Sequence, residues 1–402
     1  MTRLGSAVIR VDQRRPGSTL PLLSVSQTRG VLRQSELTNR PPRADSLDDY
    51  KVCRRGDIVF NKMSIRSGAM GVAAEDGLVT YHYEVLRPVK GTDPRYVVYL
   101  MKSSTFTGEL IRKERGIGAG GTSGVRTTEV PFSSLRTIDA FIPSPAEQCL
   151  ISDYLDRETG QIDELITQQD QLVATLTERL ETTWAAQLDE LSLANTSLTL
   201  RRIIDSIVDG PFGSSLTSAH YVDEGVRVIR LGNLGINQFK SGDEAYVSIE
   251  HGADLAAHSV SPGDVLVAGL GDEKMPLGRA TVAPSNLGPA IVKADCYRLR
   301  LNGRVDPDFL AWALSSPQLR EQFKLLSRGS TRQRLNTAVV REAQIPLPPL
   351  EVQRSVIVRF NRSREKSDAL VEKAVCVVKL LRERRQALIS AAVTGKIDVR
   401  DL

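Results

Sequence analysis

Four histidines, His82, His220, His251 and His258, stand apart in a chain of 402 residues, and no two fall at the HExxH or HxH spacing that would bring imidazoles to one metal ion. Each reads as a surface or core side chain. Cys53, Cys149, Cys296 and Cys376 are scattered without CxxC spacing, the pattern of reduced thiols in a cytoplasmic protein, not of a zinc site or a disulfide frame. Asp93-Pro94-Arg95-Tyr96 comes nearest to the Asn/Asp-Pro-Pro-aromatic loop that holds an amino group for methyl transfer. Arg95 stands where the second proline belongs and no glycine-rich cofactor turn accompanies it, so a helix start is the better reading. Residues 116–124 hold five glycines but lack the GK[ST] ending of a phosphate loop. No carboxylate pair with a nearby lysine marks a nuclease centre. These motifs point away from catalysis.

The placement of charge says more. The net charge is +5. Residues 147–190 carry 11 Asp/Glu against 2 Arg, whereas residues 351–402 carry 12 Lys/Arg against 7 Asp/Glu. The rest of the chain keeps 39 basic and 30 acidic residues, a surplus that favours a polyanionic partner. An acidic and a basic segment in one chain also favour each other.

Those segments belong to a plan that occurs twice. Ile142-Pro143-Ser144-Pro145-Ala146-Glu147-Gln148 opens one long helical pattern, and Ile345-Pro346-Leu347-Pro348-Pro349-Leu350-Glu351-Val352-Gln353 opens another. Each follows a block of short β-type runs punctuated by Gly and Pro, such as Asp57-Ile58-Val59-Phe60 and Asp264-Val265-Leu266-Val267. Landmarks recur in order. Arg55-Gly56-Asp57 answers Pro262-Gly263-Asp264 at an offset of 207, Asp93-Pro94 answers Asp306-Pro307 at 213, and the Pro turns differ by 203. Shared order with drifting offset indicates duplication with insertions in loops. The fold class expected is α+β: two mixed α/β domains separated by two long helices in a pseudo-twofold internal repeat. Along the chain the divisions are residues 1–140, 141–195, 196–344 and 345–402.

Ile162, Leu165, Ile166, Leu172, Val173, Leu176 and Leu180 form one apolar helical stripe, and Leu370, Ala374, Val377, Leu381 and Leu388 form another. Gly395 is placed to cap the second helix. With opposite charge balances, the two stripes are expected to pair as an antiparallel coiled coil, with a block at each end. The alternative is that each helix packs only on its own block. No 18-residue apolar segment exists, so no membrane span is expected. The amino terminus runs directly into polar sequence without an apolar signal stretch.

At this point the motifs resemble a known family. The Ile345–Gln353 turn, the closing stretch Gln386-Ala387-Leu388-Ile389-Ser390-Ala391-Ala392-Val393-Thr394-Gly395-Lys396-Ile397-Asp398, the opening Asp209-Gly210-Pro211-Phe212-Gly213-Ser214 and the run Arg55–Met63 are similar to signatures of the specificity (S) subunits of type I DNA restriction–modification systems. The first Pro turn, with Ala146 before Glu147-Gln148, is a weaker version. The resemblance covers essentially the whole chain. It implies two target-recognition domains, each reading half of a bipartite, asymmetric site in double-stranded DNA, and helices that set the gap and dock two methyltransferase (modification) subunits. Two restriction subunits can join that assembly. S-adenosylmethionine, ATP and Mg would then belong to the partner subunits, with no cofactor bound by this chain.

Given DNA, affinity comes from Lys and Arg on phosphates and specificity from Arg, Gln and Asn at base edges. Residues 328–336 supply Arg328, Arg332, Gln333 and Arg334 just before the second Pro turn. Their counterpart in block one carries Arg115 and Arg126 around the glycine run. Lys62 and Arg66, and at the equivalent place Lys274 and Arg279, follow the matched Gly-Asp strands. Tyr50, Tyr81 and Tyr221 read as core or rim aromatics. Two other readings compete: a stand-alone DNA-modifying enzyme, which needs a constellation the motifs do not supply, and a coiled-coil scaffold without a DNA role, which predicts no salt-dependent DNA binding.

Overall fold

Each Pro-rich turn opens one continuous helix, Pro145–Ala194 of 50 residues and Leu350–Val393 of 44. Gly160 sits on an exposed face of the first, where a side chain would meet nothing, so it costs only helix propensity, about 1 kcal/mol. Gly395 ends the second as expected: at φ 72° it lets the Lys396 N–H reach the Ala391 carbonyl at 2.9 Å.

The computed structural model describes residues 2–38, 47–113, 115–116, 128–272, 274–327 and 333–401. They form two compact units, Met1–Asp170 with Val375–Leu402, and Gln171–Ala374. Each unit therefore joins one β-rich block to a segment of both long helices.

In the first unit the strands Val8–Val11, Tyr83–Pro88, Ile58–Asn61 and Met70–Val72 pair antiparallel in that spatial order. In the second unit Ile204–Val208, Cys296–Leu301, Val265–Ala268 and Ala280–Val282 pair in the same order. The Gly-Asp landmarks explain the match. Gly56 and Gly263 take φ 89° and 86°, which glycine adopts without a Cβ clash. Asp57 accepts from the Arg54 N–H and Asp264 from the Ser261 N–H, both at 2.8 Å, and each carboxylate also pairs with an arginine of the neighbouring strand, Arg87 or Arg300. A pair of helices follows in each unit: Pro94–Lys102 and Ser104–Lys113 in the first, Pro307–Leu314 and Pro317–Leu326 in the second. The near-motif at Asp93 is a helix start, its carboxylate accepting from the Arg95 N–H at 2.8 Å. The additional strands diverge. Among the described residues the first unit adds four two-stranded pairs, whereas the second adds one such pair and a five-stranded sheet in which Val226–Ile229 and Ala290–Val292 run parallel.

Both long helices contribute to each core. In the first unit Ile151 and Leu155 pack with Ile389, Ala392 and Val393, and Arg385 binds both carboxylate oxygens of Asp163 at 2.9 and 3.1 Å. The two segments run antiparallel there. In the second unit the Trp184 and Phe360 rings lie 4.7 Å apart beside Trp312. Both apolar stripes need adjustment: in the first helix Leu165 and Leu172 are 45% and 43% exposed, while Ile162 is buried. In the second, Leu370 and Val377 are 48% and 40% exposed, while Val378 is buried and Val371 half-buried. The sequence has adjacent apolar residues at both places, and the seam uses the second of each pair; Ala374, Leu381 and Leu388 stay on it.

A buried glutamine locks each helix start. Gln148 and Gln353 are 1% and 0% exposed. Gln148 Nε2 donates to the Pro143 carbonyl at 2.9 Å, and its Oε1 accepts from the Asp93 N–H at 2.9 Å. Gln353 does the same with the Pro348 carbonyl and the Asp306 N–H, both at 2.8 Å. One side chain thus ties turn, long helix and block helix together. Gln353→Ala leaves a buried donor and a buried acceptor unpaired and should lower unfolding free energy by about 2–4 kcal/mol in urea titrations. The exposed neighbour change Glu351→Ala should shift it by less than about 0.5 kcal/mol.

Candidate nucleic-acid interface

In the second block, Asp209-Gly210-Pro211-Phe212 makes a turn against the strand end at Lys293-Ala294-Asp295. Gly210 is required there: a Cβ would lie 2.1 Å from the Lys293 backbone carbon. Asp209 Oδ1 accepts from the Gly210 N–H at 2.7 Å and the Asp295 N–H at 2.9 Å. Burial nevertheless pushes its carboxyl up to about 6. Asp295, in the left-handed region at φ 67°, accepts from Arg334 Nε at 2.7 Å, and the Arg334 guanidinium covers the Phe212 ring at 5.3 Å. The next residue closes the corner: the Leu335 N–H donates to the Gly269 carbonyl at 2.8 Å, and Tyr297 Oη donates to the Leu335 carbonyl at 2.6 Å.

Two of the segments singled out in the sequence therefore meet. Gln333 and Arg334 are held against the loop of residues 269–278, where Lys274 is exposed beside an Asx turn built on Asp272. Gln333 lines a cavity of about 700 Å³ with Asp272, Arg320 and Lys324. Arg328 and Arg332 lie outside the described residues.

Arg279 is a correction. It is 3% exposed, and its guanidinium donates to the carbonyls of Leu231, Leu234, Leu270, Met275 and Pro276 at 2.6–3.3 Å. Those bonds occupy the fork, and burial pulls its pKa down from the ordinary arginine value. Arg279 shapes the loop from inside and does not face a ligand.

In the first block, Asn61 caps the tight turn Lys62–Ser67 by accepting from the Met63 N–H at 3.0 Å, and Gly68 ends it at φ 75°. Arg66 is exposed on this turn. Lys62 stands 3.9 Å from Glu84, a buried carboxylate that also binds Arg10 at 2.9 and 3.0 Å and Lys51 at 3.4 Å. Arg10, Lys51 and Glu84 were not singled out in the sequence; the signal was a lysine inside the apolar run Tyr50-Lys51-Val52-Cys53. Arg115 lies in the short strand Arg115–Gly116, paired with Thr128–Glu129, which itself lies against the Lys62–Ser67 turn. Arg126 is outside the described residues. Both blocks thus bring the loop after the Gly-Asp strand together with the segment before the Pro turn.

Tyr50 is buried, Tyr81 is exposed, and Tyr221 accepts from Lys293 at 3.0 Å. Among the described residues, no group of three or more His, Cys, Asp or Glu could hold a metal ion, and no helix is long and apolar enough to cross a membrane.

No family model matches the chain. Over 178 residues, 44% of this chain, the sequence is 24% identical to the specificity subunit of the type I restriction enzyme StySPI from Salmonella potsdam, and the match spans 37% of that relative's length. A chain of a type I R-M system, solved to explain complex assembly and conformational transition, superposes with a TM-score of 0.71 at 16% identity, covering 98% of this chain and 97% of that one. The two share one fold. The HsdS subunit of Thermoanaerobacter tengcongensis aligns over 98% of this chain and 96% of its own at 18% identity, with a TM-score of 0.49.

The corner at Asp209 makes stability depend on pH. Its carboxyl, near 6 when folded, holds a proton that the unfolded chain releases at about 4. Folding stability should therefore fall as pH rises from about 4 to about 6. Asp209→Asn, which keeps the acceptor oxygen, should flatten that slope in urea midpoints measured across the window; an unchanged slope would remove Asp209 as its source.

Proposed function

We propose that this chain is the DNA sequence-specificity subunit of a type I restriction–modification complex. Each block reads one half of a bipartite site in double-stranded DNA, and catalysis belongs to the partners. The single observation that carries this reading is the form of the duplication. Two blocks keep one strand order and one buried glutamine lock, yet differ in the loops that gather Lys62, Arg66, Lys274, Gln333 and Arg334. A constant frame with divergent basic loops suits two heads that read different bases. The sequence similarity to a type I specificity subunit over 178 residues supports the same conclusion.

The two long helices offer the docking surface for two modification subunits, which bring S-adenosylmethionine and turn the target adenine out of the stack. Restriction subunits, with ATP and Mg, would complete the cleaving assembly. The remaining readings, a stand-alone enzyme or a scaffold, gain no specific observation from the fold.

Mapping methylated adenines in cells with and without this chain tests the proposal directly. A two-part motif present only with the chain is expected, and an unchanged methylome would sink the reading. Charge reversal at Arg332 with Arg334→Ala should weaken binding of one half-site while subunit assembly persists. Each lost phosphate contact should lower the slope of log affinity against log salt by about 0.9. Arg334→Glu is avoided because it would set a carboxylate against Asp295.

Both long helices are continuous across the boundary between the two units. Removing matched heptads from both takes out about 10 Å of helix, equivalent to roughly three base pairs of DNA. The preferred gap between half-sites should shorten by that amount with the half-sites themselves unchanged. A constant gap would mean that the helices do not set it.

A further inference from the structure

The first unit holds a cavity of about 430 Å³ between the Lys62–Ser67 turn, the helix Ser104–Lys113 and the last turns of the second long helix. Arg66, Lys102 and Arg385 all line it, with the hydroxyls of Ser104 and Thr107 and the amide of Gln386. Its walls are fastened. Gln386 Nε2 donates to the Lys102 carbonyl at 2.8 Å, the Ser104 N–H donates to Ser390 Oγ at 2.9 Å, and Arg385 is held by Asp163.

Lys102 is the unexplained member. Among the described residues its ammonium has no hydrogen-bond or ion-pair partner. Burial, then the positive charge of Arg385, pull its pKa down to about 8 despite the opposing effect of Asp163. The charged groups around it are Arg66 from the turn, Arg385 from the second long helix and Asp163 from the first, and the Asp163 carboxylate is already taken by Arg385. Lys102 thus lines the groove with two arginines, and the one carboxylate that acts on it is already engaged by Arg385.

The equivalent place in the second unit is of mixed charge. Its cavity is lined by Glu181, Asp272 and Glu321 with Arg320 and Lys324, and Arg320 is bound to Glu181 at 2.7 Å. Among the described residues, the charged side chains lining the first unit's groove are all basic, whereas those lining the second's are of both signs. One wall of the first groove is the turn that carries Lys62 and Arg66, so an anion held there lies beside the segment expected at the base edges.

We infer that this groove binds one backbone phosphate of DNA next to the half-site read by the first block, with Lys102 as the direct contact and Arg66 and Arg385 beside it. The inference rests on the specificity function proposed above and gives that function an uneven footprint, with a phosphate anchored at one half-site and not at the equivalent place of the other.

The test uses the full chain with its modification subunits and the bipartite duplex found by methylome mapping, with single phosphates replaced in turn by uncharged methylphosphonates. Wild type should lose roughly ten- to a hundredfold in affinity at one position flanking the first block's half-site. Lys102→Ala should lose about as much on unmodified DNA and nothing further from that replacement, and its salt slope should fall by about 0.9. Raising the pH from about 7 to about 9 should weaken wild type as Lys102 discharges, and Lys102→Arg should hold its affinity. Equal methylphosphonate sensitivity in wild type and Lys102→Ala would overturn the inference. So would inorganic phosphate stabilising wild type but not Lys102→Ala while no DNA replacement matters, since the occupant would then be a free anion. A complex that selects no bipartite duplex would overturn the specificity function itself, and this inference with it.

Discussion

The structure depends most on two buried glutamines. A helix 50 residues long has no reason in its own hydrogen bonding to leave a β-rich block at one fixed angle. Gln148 and Gln353 supply that reason. Each uses its amide as donor to a proline carbonyl five residues upstream and as acceptor from the N–H that precedes a block helix. Proline removes the competing donors from the turn, so the carbonyl of Pro143 or Pro348 needs a partner, and the glutamine is the one in reach. Because both bonds are buried, neither can be exchanged for water without leaving a group unpaired. The remaining geometry of each block, its Asp-capped helix and its four-stranded sheet, is built from that fixed point.

The same lock explains how the loops can vary. Frame positions such as the Gly56 and Gly263 turns, the Asp93 and Asp306 caps and the shared strand order are set by local backbone needs that both copies retain. The segments between them answer to nothing in the frame. The Lys62–Ser67 turn is short and capped by Asn61, whereas its counterpart is a longer loop shaped from inside by Arg279 on five carbonyls. Two loops at one place in the fold can thus present different side chains without disturbing the sheet beneath them.

Much of this was legible in the sequence, because duplication, glycine turns and helix caps are local and leave residue-type signatures. The seam was nearly legible. Periodicity chose Leu370 and Val377 where packing uses Val371 and Val378, since adjacent apolar residues satisfy a helical period about equally well. Long-range pairing was not legible. Nothing near Arg279 in the chain announces that carbonyls of Leu231 and Leu234 will surround it, so an arginine after a polar loop read as a surface residue. The Glu84 cluster, drawn from Arg10, Lys51 and Lys62, escaped for the same reason: its members are separated by dozens of residues and meet only when strands pair. Gln148 and Gln353 stood in the quoted motifs, but their role depends on Asp93 and Asp306, some fifty residues earlier.

Charge completes the argument, because the two copies diverged in sign as well as in shape. The acidic long helix places Glu181 in the second unit's groove, where it neutralises Arg320. The basic helix places Arg385 in the first unit's groove beside Lys102, where Asp163 holds it. The helix charges therefore do more than favour pairing. At equivalent positions they give one groove an acidic side chain and the other a basic one, and within a Debye length of about 8 Å that difference survives physiological salt. A duplicated frame carrying helices of opposite sign therefore builds two grooves that are electrostatically unequal.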